Sequence, residues 1–237
     1  MIVPGKLYGI GVGPGDPELL TLKAKRILKT VDYIAIPKTA SDRDSVALSI
    51  VEGVLETKKD VIELLFPMSF DSEILESSWS KSVSEVKALL DDGRDVAFIT
   101  LGDPTVYSTY IYIHKEIKNL GYDTEIIPGI TSFCASAARL GISLAENRES
   151  FAVVPSAYEC ENLETILENF DNVVLMKVSR NISGLKDKLA EMGLADKVVL
   201  VSKCGFEDEM IEYDLEKASG NKLSYFTTMI VKRKGIR

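Results

Sequence analysis

The chain has one histidine, His114, and only three cysteines, Cys134, Cys160 and Cys204. A lone histidine rules out chemistry that needs two, including HExxH zinc sites and His-rich metal centres. The cysteines are odd in number, widely spaced and without a CxxC pair, so they support neither a zinc knuckle nor a disulfide framework. Each is expected to be a small buried residue in a reducing compartment, and no metal site is expected. Long apolar runs are missing as well: Val96–Ile99 is typical, far short of the ~20 residues that span a bilayer. The opening "MIVPGKLYGIG" has no basic stretch leading into an apolar one, so a secretory leader is not expected. No membrane partner and a cytoplasmic location follow as expectations. Basic charge is also in short supply. A net charge of −8 argues against a nucleic-acid partner, whose phosphates need a basic surface. A local basic pocket stays open, because net charge does not describe the field inside a cleft.

Two nucleotide signatures are absent. A GxGxxG fingerprint starting at Gly9 meets Pro14 where its last glycine belongs, and one starting at Gly11 meets Asp16. The acidic residue expected after the next strand is replaced by Pro37-Lys38, so an NAD(P) oxidoreductase is disfavoured. No Gly-Lys-Ser/Thr occurs, which excludes a Walker loop.

What is present is alternation. Apolar strand-like runs "KLYGIGV", "YIAIP", "DVIELLFP", "DVAFITL" and "DTEIIPG" alternate with amphipathic helical stretches, the pattern of a largely parallel sheet. In "PELLTLKAKRILKT", Leu20, Ala24, Ile27 and Leu28 share one face, Asp16 is placed to cap, and Pro17 suits the first helical position. "SEILESSWSKSVSEVKALLDDG" gives a second amphipathic helix, with Trp79 read as packing. His114 sits on a further helical run as a boundary residue. After "SFCASAARLG" the strands "FAVVPSA", "NVVLMKV", "KVVLVSKC" and "SYFTTMIVKR" follow, with Gly141–Ser150 as the candidate boundary. The expectation is two α/β domains, 1–145 and 146–237, the first mostly parallel and the second mixed.

Three loops at strand ends concentrate small and hydroxylated residues. "GVGPGDPELL" reads equally as a tight turn or a place where a ligand approaches bare backbone. "ITLGDPTVYST" follows Gly102, Asp103 and Pro104 with Thr105, Tyr107, Ser108 and Thr109, and a strand end in an α/β sheet is where ligands bind. "IIPGITSFCASAA" places Thr131 and Ser132 at the start of a helix whose free amides suit a polar group. Composition and spacing stop at a ligand-binding α/β protein of open chemistry.

At these three motifs together, "YGIGVGPGDPELLTLKA", "ITLGDPTVYST" and "IIPGITSFCASAA", the chain resembles the tetrapyrrole methylases, which use S-adenosyl-L-methionine. "PELLTLKA", "DPTVYSTY" and "GISLAENRESFAVVPSAY" look most like the branch that methylates C-20 of precorrin-2 or cobalt-factor II. Leu101 stands where uroporphyrinogen methylases carry glycine before Gly-Asp-Pro, a departure that disfavours their substrate. The resemblance implies a homodimer of two α/β domains with the cofactor between them. It implies a small-molecule tetrapyrrole substrate, with or without cobalt, in cobalamin biosynthesis. By motif it implies cofactor contacts at Pro14, Leu101, Gly102, Asp103, Tyr107, Ser108, Thr109, Thr131, Ser132 and Met176, and more loosely at Ala157 and Thr228. A sulfonium methyl needs no nucleophilic side chain, so positioning in a dry site suffices. Asp103 is then the candidate catalytic residue for charge or proton handling, with Tyr107 and Tyr225 behind it; ordering of its own loop is the competing task. Lys38, Arg43, Lys177, Arg180 and Lys203 are candidate cations for substrate carboxylates. A sibling methylase acting at another ring position and a non-catalytic metabolite sensor stand as alternatives.

Overall fold

The computed structural model describes residues 2–38, 45–66, 72–155, 160–220 and 222–236, with the backbone alone for 72–76. Ala157 and Arg43 therefore lie outside the described residues. The chain packs as two compact units, Met1–Thr131 and Ser132–Arg237.

The first unit follows the alternation of its sequence. Strands β1 (Leu7–Gly11), β2 (Tyr33–Lys38), β3 (Asp60–Leu65), β4 (Val96–Thr100) and β5 (Thr124–Ile127) alternate with helices α1 (Leu22–Thr30), α2 (Val46–Glu52), α3 (Ser72–Asp91) and α4 (Tyr110–Asn119). The sheet order is β3-β2-β4-β1-β5 and every pairing is parallel. Period-two alternation sends side chains to both faces. Ile10, Ile34, Ile36, Ala97 and Ile99 meet α1 and α2 through Ala24, Ile27, Leu28, Ile50 and Val51. Leu7, Ala35, Val96 and Phe98 meet α3 and α4 through Val86, Leu90, Tyr110, Ile113 and Ile117. Both faces of the central strands β1 and β4 are buried, so these read as continuous apolar runs. Gly9 makes room for one partner: a Cβ there would lie 2.0 Å from the Tyr110 ring.

The helical run after the first Gly-Asp-Pro is split. Asp16 accepts from the Glu18 amide at 2.8 Å and caps only the short 3-10 turn Pro17–Leu19. Leu20 is extended, and Thr21 caps α1 by accepting from the Ala24 amide at 3.1 Å. A hydroxyl one turn later thus restarts the helix that Asp16 and Pro17 announce. Trp79 of α3 stacks on Tyr112 of α4, with ring centroids 4.6 Å apart.

The second unit holds α5 (Ser132–Leu140), β6 (Phe151–Val154), α6 (Leu163–Asn169), β7 (Asn172–Met176), α7 (Ile182–Glu191), β8 (Val198–Ser202), β9 (Met210–Glu212), α8 (Leu215–Gly220) and β10 (Thr227–Lys232). Its sheet, β6-β7-β10-β8-β9, is mixed: β6 runs parallel to β7, while β10 is antiparallel to β7 and β8. Leu163, Leu167, Leu185, Leu189, Leu215 and Ala218 from α6, α7 and α8 close one face over Leu175, Leu200, Met229 and Val231. The last residue of β10, Lys232, is buried and satisfied, donating from Nζ to the Ser143 carbonyl at 2.7 Å. The α/β class and the parallel and mixed sheets agree with the sequence reading.

Candidate functional site

Because β4, β1 and β5 are parallel neighbours, their C-terminal loops lie side by side, and these are the three motif loops. The two Gly-Asp-Pro loops are joined directly. The Gly102 amide donates to the Gly13 carbonyl at 2.7 Å, and the Gly13 amide returns a longer bond to the Gly102 carbonyl at 3.4 Å. The loop after β5 presses against both. A Cβ on Gly129 would stand 2.1 Å from the Gly102 carbonyl oxygen, and one on Gly11 would stand 2.5 Å from the same atom. No side chain fits between these backbones. Gly102 itself takes φ +73°, a left-handed conformation that residues with a Cβ avoid.

Asp103 ties the group together. Its Oδ1 accepts from the Thr105 amide at 2.8 Å and the Thr105 hydroxyl at 2.5 Å, while Oδ2 accepts from the Gly129 amide at 3.0 Å. The residue is 8% exposed. The first Gly-Asp-Pro has no such reach, since Asp16 caps its own turn. The two copies are alike in sequence and different in task.

Beside this junction the backbone is bare. A Cβ on Gly102 would meet only the Thr131 Cα, at 4.0 Å. The Thr131 hydroxyl is buried and has no hydrogen-bond partner among the described residues. An orphaned buried hydroxyl next to open glycine backbone is what a polar ligand group would complete.

A family profile described as "Tetrapyrrole (Corrin/Porphyrin) Methylases" matches residues 6–218. The chain belongs to the tetrapyrrole methylases. It is 38% identical to a probable cobalt-precorrin-2 C(20)-methyltransferase of Methanocaldococcus jannaschii, over 96% of each chain. It is 36% identical to the cobalt-precorrin-2 C(20)-methyltransferase of Salmonella typhimurium, over 97% of each. A precorrin-2 C(20)-methyltransferase of a Sinorhizobium species is 32% identical, covering 96% of this chain and 95% of its own. Among solved structures, a cobalt precorrin-4 methyltransferase superposes with a TM-score of 0.76 at 23% identity, covering 96% of this chain and 94% of that one. A uroporphyrin-III C-methyl transferase from Thermus thermophilus, complexed with S-adenyl homocysteine, gives 0.69 at 21% identity, covering 96% and 97%. At these identities the structural likeness speaks for a shared fold.

In this methylase the sequence-predicted residues form two groups. Pro14, Leu101, Gly102, Asp103 and Thr131 gather at the loop junction of the first unit, with Pro14 buried in the β1 loop. The Ser108 hydroxyl donates to Thr100 Oγ1 at 3.1 Å and accepts from the Tyr110 amide at 3.2 Å. Tyr107, at φ +50°, and Thr109 are exposed. In the second unit Met176 and Thr228 are cross-strand partners of β7 and β10, adjacent as a pair although 52 positions apart in sequence. Ser132 opens α5. The reading of single motifs missed Gly11 and Gly129 as contact residues. Their signal was a glycine at each of three strand ends, which only the sheet order converts into one junction.

Proposed function

We propose that the protein transfers a methyl group from S-adenosyl-L-methionine to C-20 of a precorrin-2-type tetrapyrrole in cobalamin biosynthesis, with the cobalt-bearing form as substrate. The observation that carries this is 32–38% identity, over 95% or more of both chains, to three relatives named for C-20 methylation. The cobalt-bearing form is named in the two relatives of higher identity. The bound cofactor supplies an electrophilic sulfonium methyl. The chain's own task is to hold the reacting groups in line and keep water away. Gly102 and Thr131 would hold the cofactor through bare backbone and the orphaned hydroxyl. Of the two tasks open to Asp103, its hydrogen bonds support loop ordering: both carboxylate oxygens are engaged by Thr105 and Gly129.

The proposal extends to a homodimer and a cytoplasmic setting. Exposed Val61 and Leu65 on the edge strand β3 support self-association, and three free cysteines suit a reducing compartment. Among the described residues no helix is long and apolar enough to cross a membrane.

The test is parallel incubation with S-adenosyl-L-methionine and either cobalt-precorrin-2 or its metal-free form, counting methyl groups by mass spectrometry. One methyl added, faster on the cobalt form, is expected. Faster methylation of the metal-free form would reassign the substrate, and cofactor binding with no methylation of either would redirect the proposal to a sibling substrate.

A further inference from the structure

Strands β7 and β8 each run into a lysine with left-handed backbone, Lys177 at φ +58° and Lys203 at φ +53°. Residues with a Cβ avoid this region, and strain of this kind collects at functional sites. The two positions are related through the sheet. Strand β10 lies between β7 and β8 and runs antiparallel to both, so its first residues pass between the two lysines. The Lys177 amide donates to the Thr227 carbonyl at 3.1 Å, and the Lys203 amide donates to the Phe226 carbonyl at 2.9 Å. Both strained lysines are thus pinned to the start of one strand.

That segment carries aromatic rings into solvent. Tyr225 and Phe226 are 40% and 37% exposed. They meet edge to face at 5.6 Å, and Phe226 lies nearly parallel to Phe206 at 6.4 Å. The Lys177 ammonium stands 5.5 Å over the Tyr225 ring, and the Lys203 ammonium is paired with the exposed carboxylate of Asp208. One residue further into the sheet lies the Met176–Thr228 pair. Ordinary core packing does not account for exposed rings flanked by cations at the end of the buried strands β7, β8 and β10. A conjugated macrocycle with carboxylates at its rim needs this combination: flat apolar faces for the ring and ammonium groups for the acids. In a chain of net charge −8, such cations also have to be local.

We infer that the start of β10, bracketed by Lys177 and Lys203, is the carboxylate-reading surface for the tetrapyrrole. The inference rests on the proposed function and adds the residues that select the acidic substrate. Tyr225 and Phe226 present the face, and the two ammonium groups read acidic side chains. Asp208 competes for Lys203.

The test uses the full chain and fluorescence titration with two porphyrin probes, the octacarboxylate uroporphyrin III and the tetracarboxylate coproporphyrin III. The wild type is expected to bind the octacarboxylate at least fivefold tighter, with affinity falling as salt is raised. The Lys177→Met/Lys203→Met double variant is expected to weaken the octacarboxylate at least tenfold while binding S-adenosylhomocysteine normally by calorimetry. The double Lys→Arg variant is expected to recover most of the loss. Asp208→Asn, which frees Lys203, is expected to tighten binding. Equal affinity of the wild type for both probes overturns the inference, even if the methionine variant fails to fold. So does a folded methionine variant that still binds the octacarboxylate within twofold of wild type. A wild type that binds neither porphyrin removes the tetrapyrrole reading itself, and the inference with it.

Discussion

The carboxylate of Asp103 reaches from the loop after β4 to the amide of Gly129 in the loop after β5, at 3.0 Å. Its other oxygen is held by Thr105. One side chain thereby fixes the spacing of two loops that both border the orphaned Thr131 hydroxyl.

If this clamp is the task of Asp103, both Asp103→Ala and Asp103→Asn will lower thermal stability. Alanine leaves the buried Gly129 amide unpaired, and asparagine must turn an NH₂ toward the backbone amide of either Gly129 or Thr105, each of which can only donate. Either costs about 1–3 kcal/mol, and calorimetry will show weaker S-adenosylhomocysteine binding in both. A purely proton-handling Asp103 would instead leave asparagine's stability and cofactor affinity unchanged and lower only turnover.

Gly11→Ala and Gly129→Ala place a Cβ 2.5 Å and 2.1 Å from the Gly102 carbonyl oxygen. Backbone must shift to accept either, at a cost on the order of 1–3 kcal/mol. Gly53→Ala is the control: its backbone is right-handed helical and its nearest neighbour would be 3.5 Å away. Thermal melts of the three variants separate close approach from a general glycine effect.

Thr131→Val carries opposite signs in the free and bound protein. Removing a buried hydroxyl with no partner among the described residues stabilises the free chain by about 1 kcal/mol. S-adenosylhomocysteine affinity falls by roughly fivefold to tenfold, the loss of one hydrogen bond. Unchanged affinity would remove Thr131 from the cofactor site.

Glu125 on β5 accepts from Lys23 at 2.6 Å and Lys6 at 2.8 Å. Lys23 first and Lys6 second pull its pKa down to about 2 from 4.5. A depressed carboxylate contributes stability above its unfolded pKa, and that contribution fades as pH falls from about 4.5 toward 2. Glu125→Gln should therefore melt lower than wild type at neutral pH, by no more than a partly exposed pair is worth, about 0.5–1 kcal/mol. The gap should close in acid. Melting curves between pH 7 and about pH 2.5 follow it, and a gap independent of pH contradicts the ion-pair account.

Tyr110 is fully buried against Gly9 and bonds His114 Nδ1 at 3.0 Å. Burial pushes the tyrosine pKa up and the histidine pKa down. Tyr110→Phe keeps the packing and costs about 0.5–1.5 kcal/mol, whereas Tyr110→Ala costs roughly 3–5 kcal/mol. Denaturant titration distinguishes the two, and equal losses would place the value of Tyr110 in its hydroxyl.

Much of this architecture was legible in the sequence for physical reasons. Strands buried on both faces have to be apolar throughout, so "DVAFITL" and "NVVLMKV" announce themselves. The short helices α2 and α8 do not, because six or seven residues carry too few turns for a periodic signal. The break at Leu20 was hidden because Asp16-Pro17 and Thr21 are both good helix starts. At the candidate site, local spacing singled out Gly102, Asp103 and Thr131 as candidates, since each lies in a strand-end loop. The contacts of Gly11 with Gly129 and of Met176 with Thr228 depend on strand order, which no local spacing encodes. The lysine bracket left a trace, in that "VVLMK" and "VVLVSK" each place a lysine directly after the strand. Only β10 passing between them sets those two lysines on either side of one strand.

C-20 methylation is put to the test by giving the purified protein cobalt-precorrin-2 and S-adenosyl-L-methionine with a carbon-13 methyl, then reading the product by NMR. One labelled methyl, attached at C-20, is expected. A labelled methyl at any other ring position, or none while the cofactor binds, would rule out C-20 methylation as the reaction.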